Sequence, residues 1–148
     1  MRRFLLDTNI CLAFVRGHES YTSIEQELRL DSEDCVHMIS VVTKAELLSL
    51  GKRLGWGGPK LDKLNRLLDK RYIIDINNSD HQLIKANYTI DAYSQGNLSE
   101  KPLNGSAKNM GKNDLWIAAT AHVANAELVT MDGGFDHLHA EFLTVHKD

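Results

Sequence analysis

Residues 1–10 read MRRFLLDTNI, and Phe4-Leu5-Leu6 is an apolar run that stops on a bare carboxylate, Asp7. A short apolar run bounded by turn formers reads as a buried strand. Asp and Asn favour turns because their short side chains bond the nearby backbone. Asp7-Thr8-Asn9 therefore closes a strand over Arg3 to Leu6 and opens a helical pattern from Asn9 to Val15. A strand that feeds a helix is the start of a β-α-β unit, the building block of parallel sheets. Asp7 has two readings at this point: a residue that serves the turn, or a ligand fixed at the end of a rigid strand. The second gains weight if other carboxylates reach the same place.

The alternation continues outward from this stretch. Ser20 to Leu30 has helical spacing, with Ile24 and Leu28 opposite the charges, and Asp31 to Asp34 is a polar turn. Cys35 to Ser40 reads as a second strand. Ser40 or Thr43 caps a helix to about Leu54, with Val42, Ala45, Leu48 and Lys52 in register. Gly55-Trp56-Gly57-Gly58-Pro59 breaks the chain, and Pro59 suits the first turn of a helix to Lys70 striped by Leu61, Leu64, Leu67 and Leu68. Tyr72 to Ile76 is strand-like. Ser79-Asp80-His81-Gln82 has capping-box spacing and opens a helix to Tyr93. Ser94 to Gly111 is a long Gly-, Ser-, Asn- and Lys-rich loop, of a length that usually marks function. Asn113 to Ala126 is an alanine-rich helix, Glu127 to Thr130 a strand, Gly133-Gly134 a turn and Phe142 to Val145 a last strand. This order predicts an α/β fold with a parallel sheet covered by helices on both faces, in a single domain over residues 1–148.

Composition agrees. The 148 residues are 43% hydrophobic and 25% charged, enough for a core and a solvated surface. No apolar run approaches the ~20 residues that cross a bilayer. The first residues turn polar too soon for a secretory signal. Cys11 and Cys35 have no metal or redox spacing and read as free thiols of a reducing compartment, so a cytoplasmic protein is expected. A net charge of −3 argues against nucleic-acid binding by bulk positive charge, unless several acids are committed to a metal.

Four acids fall where a parallel sheet forms its sites, beyond the carboxyl ends of strands or at helix starts. They are Asp7, Glu46, Asp114 and Asp132. Two unit charges about 4 Å apart repel by roughly 4 kcal/mol at an effective dielectric of 20, so gathered carboxylates need protons or cations. Oxygen donors without His or Cys suit Mg2+ or Mn2+, which activate water and stabilise phosphoryl displacement. Each acid also has a structural reading. Glu46 follows Thr43 at capping-box spacing, Asp114 suits a helix dipole, and Asp132-Gly133 is a common turn pair.

Four local sequences add more: Leu6-Asp7-Thr8-Asn9, Thr43-Lys44-Ala45-Glu46-Leu47, Asn113-Asp114-Leu115-Trp116-Ile117-Ala118-Ala119-Thr120-Ala121, and Thr130-Met131-Asp132 with Phe135. In order, spacing and total length the chain resembles the PIN-domain nucleases, and among them the VapC toxins of bacterial toxin–antitoxin pairs. The resemblance implies a PIN-like three-layer α/β/α sandwich with a central, mostly parallel sheet, and Mg2+- or Mn2+-dependent cleavage of RNA leaving 5′ phosphate and 3′ hydroxyl ends. The family's acidic quartet maps to Asp7, Glu46, Asp114 and Asp132, as metal ligands or water-orienting groups. Its hydroxyl and amide neighbours map to Thr8, Asn9, Asn113 and Thr130. Asp136 is an extra acid that also reads as a surface turn. A cognate antitoxin and a homodimer are implied as well, with Phe14, Leu47, Leu50, Leu54 and Trp56 as candidate partner contacts.

Basic residues cluster from Lys44 to Arg71 and along the long loop. Lys44, Lys108 and Lys112 are the candidate phosphate contacts, the last two for their closeness in sequence to Asp114. The Lys60 to Arg71 helix reads equally as a solvated face. His137 and His139 alternate as in an extended segment and read as surface residues. Two other functions stay open: a PIN-type nuclease of ordinary nucleic-acid processing, and a non-catalytic metal-binding or protein-interaction module. A phosphatase using Asp7 as nucleophile needs a second acid two residues on, and position 9 is Asn.

Overall fold

The computed structural model describes residues 1–148. In chain order it contains β1 (Arg2–Leu6), α1 (Thr8–Arg16), α2 (Glu19–Leu28), β2 (Cys35–Ser40), α3 (Val41–Arg53), α4 (Gly58–Lys70), β3 (Tyr72–Ile74), α5 (His81–Ser94), α6 (Lys112–Val123), β4 (Glu127–Thr130), a 3-10 helix (Gly133–Leu138) and β5 (Val145–Lys147). The five strands form one sheet in the order β3-β2-β1-β4-β5, and every pairing is parallel. Side chains alternate along each strand, and the two cores follow that period. Phe4 and Leu6 join Ile10, Leu47, Leu64 and Leu67 on one face, under α1, α2, α3 and α4. Leu5 joins Leu83, Ile90, Ile117 and Leu128 on the other, under α5 and α6. The expected α/β/α layering is the observed one.

Because β1 is central, the chain moves outward to β2 and β3, then returns to build β4 and β5 on the other side. The order reverses between β1 and β4, and crevices open outside the carboxyl ends of strands at such a switch point. Leu6 pairs with Val129 there, so Asp7 and Thr130 leave adjacent strands side by side.

Several local expectations are corrected. Ser40 caps α3, its hydroxyl accepting from the Val42 amide, so Thr43 and Glu46 form no capping box. The core face of α3 is Thr43, Leu47 and Gly51, and Leu48 is exposed. The rotation has a cause. A Cβ on Gly51 would stand 3.1 Å from the Trp56 ring, so Gly51 leaves the space into which the indole packs. Trp56 is 8% exposed and Leu47 wholly buried, so both pack into the core of this chain. On α4, Leu61 is exposed and the buried stripe is Leu64 and Leu67. Asp80, not Ser79, caps α5, accepting from the Leu83 amide at 3.0 Å.

The β3 ladder stops at Ile74. The last strand is Val145–Lys147, because Phe142 packs edge-on against Tyr93 and Leu143 is buried in the core instead of extending the ladder. Gly133-Gly134 opens a 3-10 helix, so His137 lies on a helical turn and not in an extended segment. Cys11 and Cys35 are free thiols, and no helix is long and apolar enough to cross a membrane.

Candidate active site

Asp7 is the N-cap of α1 and is 4% exposed. One carboxylate oxygen accepts from the Thr8 amide at 2.8 Å and the other from the Thr130 hydroxyl at 2.7 Å. The same Thr130 oxygen accepts from the Asp132 amide at 3.0 Å. Asn9 closes the seam from the other side, its side-chain oxygen accepting from the Met131 amide at 3.1 Å. One strand end is thereby tied to its neighbour by two side-chain bonds, Thr130 to Asp7 and Met131 to Asn9.

Glu46 comes from α3, one turn in. Its Oε1 accepts from the Thr8 hydroxyl at 2.6 Å and its Oε2 from the Asn113 amide group at 3.4 Å. Thr8 and Thr43 lie hydroxyl to hydroxyl at 3.1 Å, with Thr43 fully buried. Thr43 supports the site without having been singled out, because its partner is decided by the packing of α1 on α3. Asp114 stands in the first turn of α6. Asp132 caps the 3-10 helix, accepting from the Gly134 amide at 2.9 Å. Of the hydroxyl and amide neighbours named from the sequence, Thr8 and Asn113 bond Glu46, Thr130 bonds Asp7, and Asn9 bonds the Met131 amide.

The four acids feel one another. Burial raises the proton affinity of Asp7, and Glu46 and Asp132 add to the rise while the bonds from Thr130 and Thr8 oppose it. Asp114 is pushed up to about 6, first by burial and then by the charges of Asp7, Asp132 and Glu46. None of the four is in an ion pair. No three of them stand close enough to hold one ion between them as they lie. Mutual repulsion with no opposing charge turns carboxylates toward hydrogen-bond donors, and here Asp7 and Glu46 each accept from two donors and Asp132 from one. The donor set fits a hard divalent cation: all oxygen, rigidly rooted and electrostatically uncompensated.

An open cleft of about 530 Å³ leads away from Glu46 along α3, between Thr8 and Asn113 on one side and Ser49, Leu50 and Arg53 on the other. Arg53 was not singled out, although its place two turns beyond Glu46 on one helix face marks it. The candidate lysines do not line this cleft. Lys44 and Lys112 are exposed on α3 and α6. The Lys108 ammonium donates to the Ser106 carbonyl at 3.2 Å, and burial first and the Lys108 charge second lower the proton affinity of His137. Asp136 pairs with Lys147 at 2.9 Å, outside the quartet. Phe14 and Leu50 are half-buried and Leu54 is exposed.

Thr130 carries a direct test. Replacing it with Val keeps the shape but removes the donor to Asp7 and the acceptor of the Asp132 amide. Leaving such buried groups unsatisfied costs about 1–3 kcal/mol. A lower denaturant midpoint with an unchanged m-value is expected for Thr130→Val, and an unaltered midpoint would remove the strand-end clamp from the account.

The PIN domain family model matches residues 4–141. No curated protein matches the chain. Among solved structures it is similar to VapBC2 from Rickettsia felis bound to a promoter DNA fragment, at 24% identity over 98% of each chain and a TM-score of 0.73. It is similar to VapBC-1 from nontypeable Haemophilus influenzae, at 21% identity over 98% of this chain and 97% of that one, with a TM-score of 0.68. VapBC-5 from Mycobacterium tuberculosis aligns over the whole of both chains at 19% identity and a TM-score of 0.66.

Proposed function

The chain belongs to the PIN domain family, and on that premise we propose that it is a Mg2+- or Mn2+-dependent endoribonuclease, the toxin of a VapBC-type pair. The observation that carries the reading is the uncompensated quartet Asp7, Glu46, Asp114 and Asp132 at the switch point of the sheet. When bound, a divalent ion supplies positive charge that polarises water and stabilises the leaving oxygen. The protein supplies placement. Thr130 and the Thr8 amide hold Asp7 in one orientation, and Thr8 with Asn113 aims Glu46 across the mouth of the cleft. Asp114 and Asp132 would supply further carboxylate oxygens to the ion, and Asp114, pushed up to about 6, is ionised and free to do so at neutral pH.

This reading carries with it a cytoplasmic location, a cognate antitoxin as partner and a homodimer. Solved complexes of similar chains with antitoxins support the partner. Purified protein is expected to cut RNA in Mg2+ or Mn2+, to stop in EDTA, and to leave 5′ phosphate ends. Metal binding without any cleavage would make the chain a binding module. Cleavage without growth arrest when the chain is expressed alone would make it a processing nuclease. Sequencing the 5′ ends formed after induction identifies the RNA.

A further inference from the structure

A second charged site lies on the layer formed by α1, α2 and α4. Phe14, Tyr21, Lys63, Arg66, Lys70 and Arg71 wall a pocket of about 360 Å³ there. The four cations meet a single wall acid, Glu25, and none of the four is in an ion pair. On a chain whose net charge is −3, that local excess stands out. The pocket is also built. The Lys63 ammonium and the Arg71 guanidinium both lie over the Phe14 ring, 5.9 and 5.7 Å from its centre. Tyr21 packs edge-on to the same ring, with centroids 5.0 Å apart. Arg71 donates to the Tyr21 hydroxyl at 3.2 Å, and its Nε is buried with no acceptor in the chain.

We infer that this pocket binds backbone phosphates of RNA, as an anchoring site separate from the acidic quartet. A guanidinium fork with flanking ammonium groups matches phosphate oxygens, and several unpaired cations around one cavity suit a polyanion better than a lone carboxylate. Identifying the polyanion as RNA rests on the ribonuclease reading. The separation is fixed by α1, which starts beside Asp7 and ends at Gly17, where a Cβ would lie 3.5 Å from the Lys63 ammonium. Nine helical residues span about 14 Å. A single phosphodiester therefore cannot occupy the acids and the pocket at once.

The test uses full-length Asp114→Asn protein in EDTA, so that no RNA is cut, and a labelled single-stranded RNA oligonucleotide read by fluorescence anisotropy across a potassium chloride series. Arg66→Ser with Lys70→Ser changes two exposed side chains, and circular dichroism verifies the fold. The double substitution is expected to weaken binding about tenfold and to make the salt slope shallower by about 1.4, at about 0.7 per lost phosphate contact. Unchanged affinity and slope would overturn the inference. So would loss of binding to a polyglutamate peptide with RNA binding intact, which assigns the pocket to a protein partner. The two readings fail separately. Parent protein that binds RNA through this pocket but cuts none keeps the anchoring site and sinks the ribonuclease. Parent protein that cuts RNA, with binding indifferent to the double substitution, does the reverse.

Discussion

Asp114→Asn is expected to abolish metal-dependent RNA cleavage and, in EDTA at neutral pH, to raise the unfolding temperature. The two effects have one origin. Burial and three neighbouring carboxylates push Asp114 up to about 6 from its ordinary 3.8, so the folded chain resists ionising it. Its favourable contribution is whole below pH 3.8 and gone once pH passes about 6. At neutral pH the charged form is a burden that Asn removes. The shift converts to about 3 kcal/mol at full value, and partial exposure and screening reduce it to about 1 kcal/mol. That is about 2–4 °C in Tm for a chain of this size. Activity falls much further. Residues that merely support a metal ligand are worth about 10–100-fold, and a direct ligand exceeds that. Full cleavage by the purified variant would end the assignment. A variant both inactive and less stable in EDTA would make Asp114 a structural acid.

Divalent metal is expected to give the largest stability change of all. No basic side chain pairs with Asp7, Glu46, Asp114 or Asp132, so a cation drawn in among them would offset the repulsion that raises Asp7 and Asp114. Ligand at about 100 times its Kd stabilises the folded state by about 2.7 kcal/mol. Mg2+ or Mn2+ should therefore raise Tm by more than Asp114→Asn does, at pH 7.5. The gain should shrink as pH drops through about 6, where protons compete for Asp114. Calorimetric scans with and without metal at several pH values measure it. A Tm indifferent to Mg2+ and Mn2+ at pH 7.5 would contradict an ion site at the quartet. Asp7→Asn is the matching control, since its parent carboxylate is the most buried of the four and its loss should blunt the metal response.

The architecture was legible because its signals are local. Phe4, Leu5 and Leu6 sort to alternate faces as period two requires, and Asp7 ends the strand where the helix begins. Three of the four acids, Asp7, Asp114 and Asp132, sit at junctions of elements and so could be picked out locally, whereas Glu46 lies inside α3. What the sequence hid depends on distant partners. The rotation of α3 is decided by Trp56 filling the space at Gly51, and the local pattern of Val42, Ala45 and Leu48 pointed the other way. Phe142 has strand character but is claimed by Tyr93 from α5. Lys108 is six residues from Asp114 along the chain, yet the loop folds back so that its amide bonds the Ser94 carbonyl at 2.7 Å. The Lys60 to Arg71 segment showed its charge but not its convergence with Phe14 and Tyr21, which α1 and α2 contribute.

Translation order follows from where β4 sits. β1 is made first, and its flank on the β4 side waits for residues 127–130. Until Thr130 has left the ribosome, a growing polypeptide carries Asp7 without the hydroxyl that orients it. Pairings so far apart in sequence form late, since the intervening segment must close first. The acidic cluster is therefore among the last parts of this fold to be assembled, and it forms only once the segment around residues 130–132 is free to pair with β1.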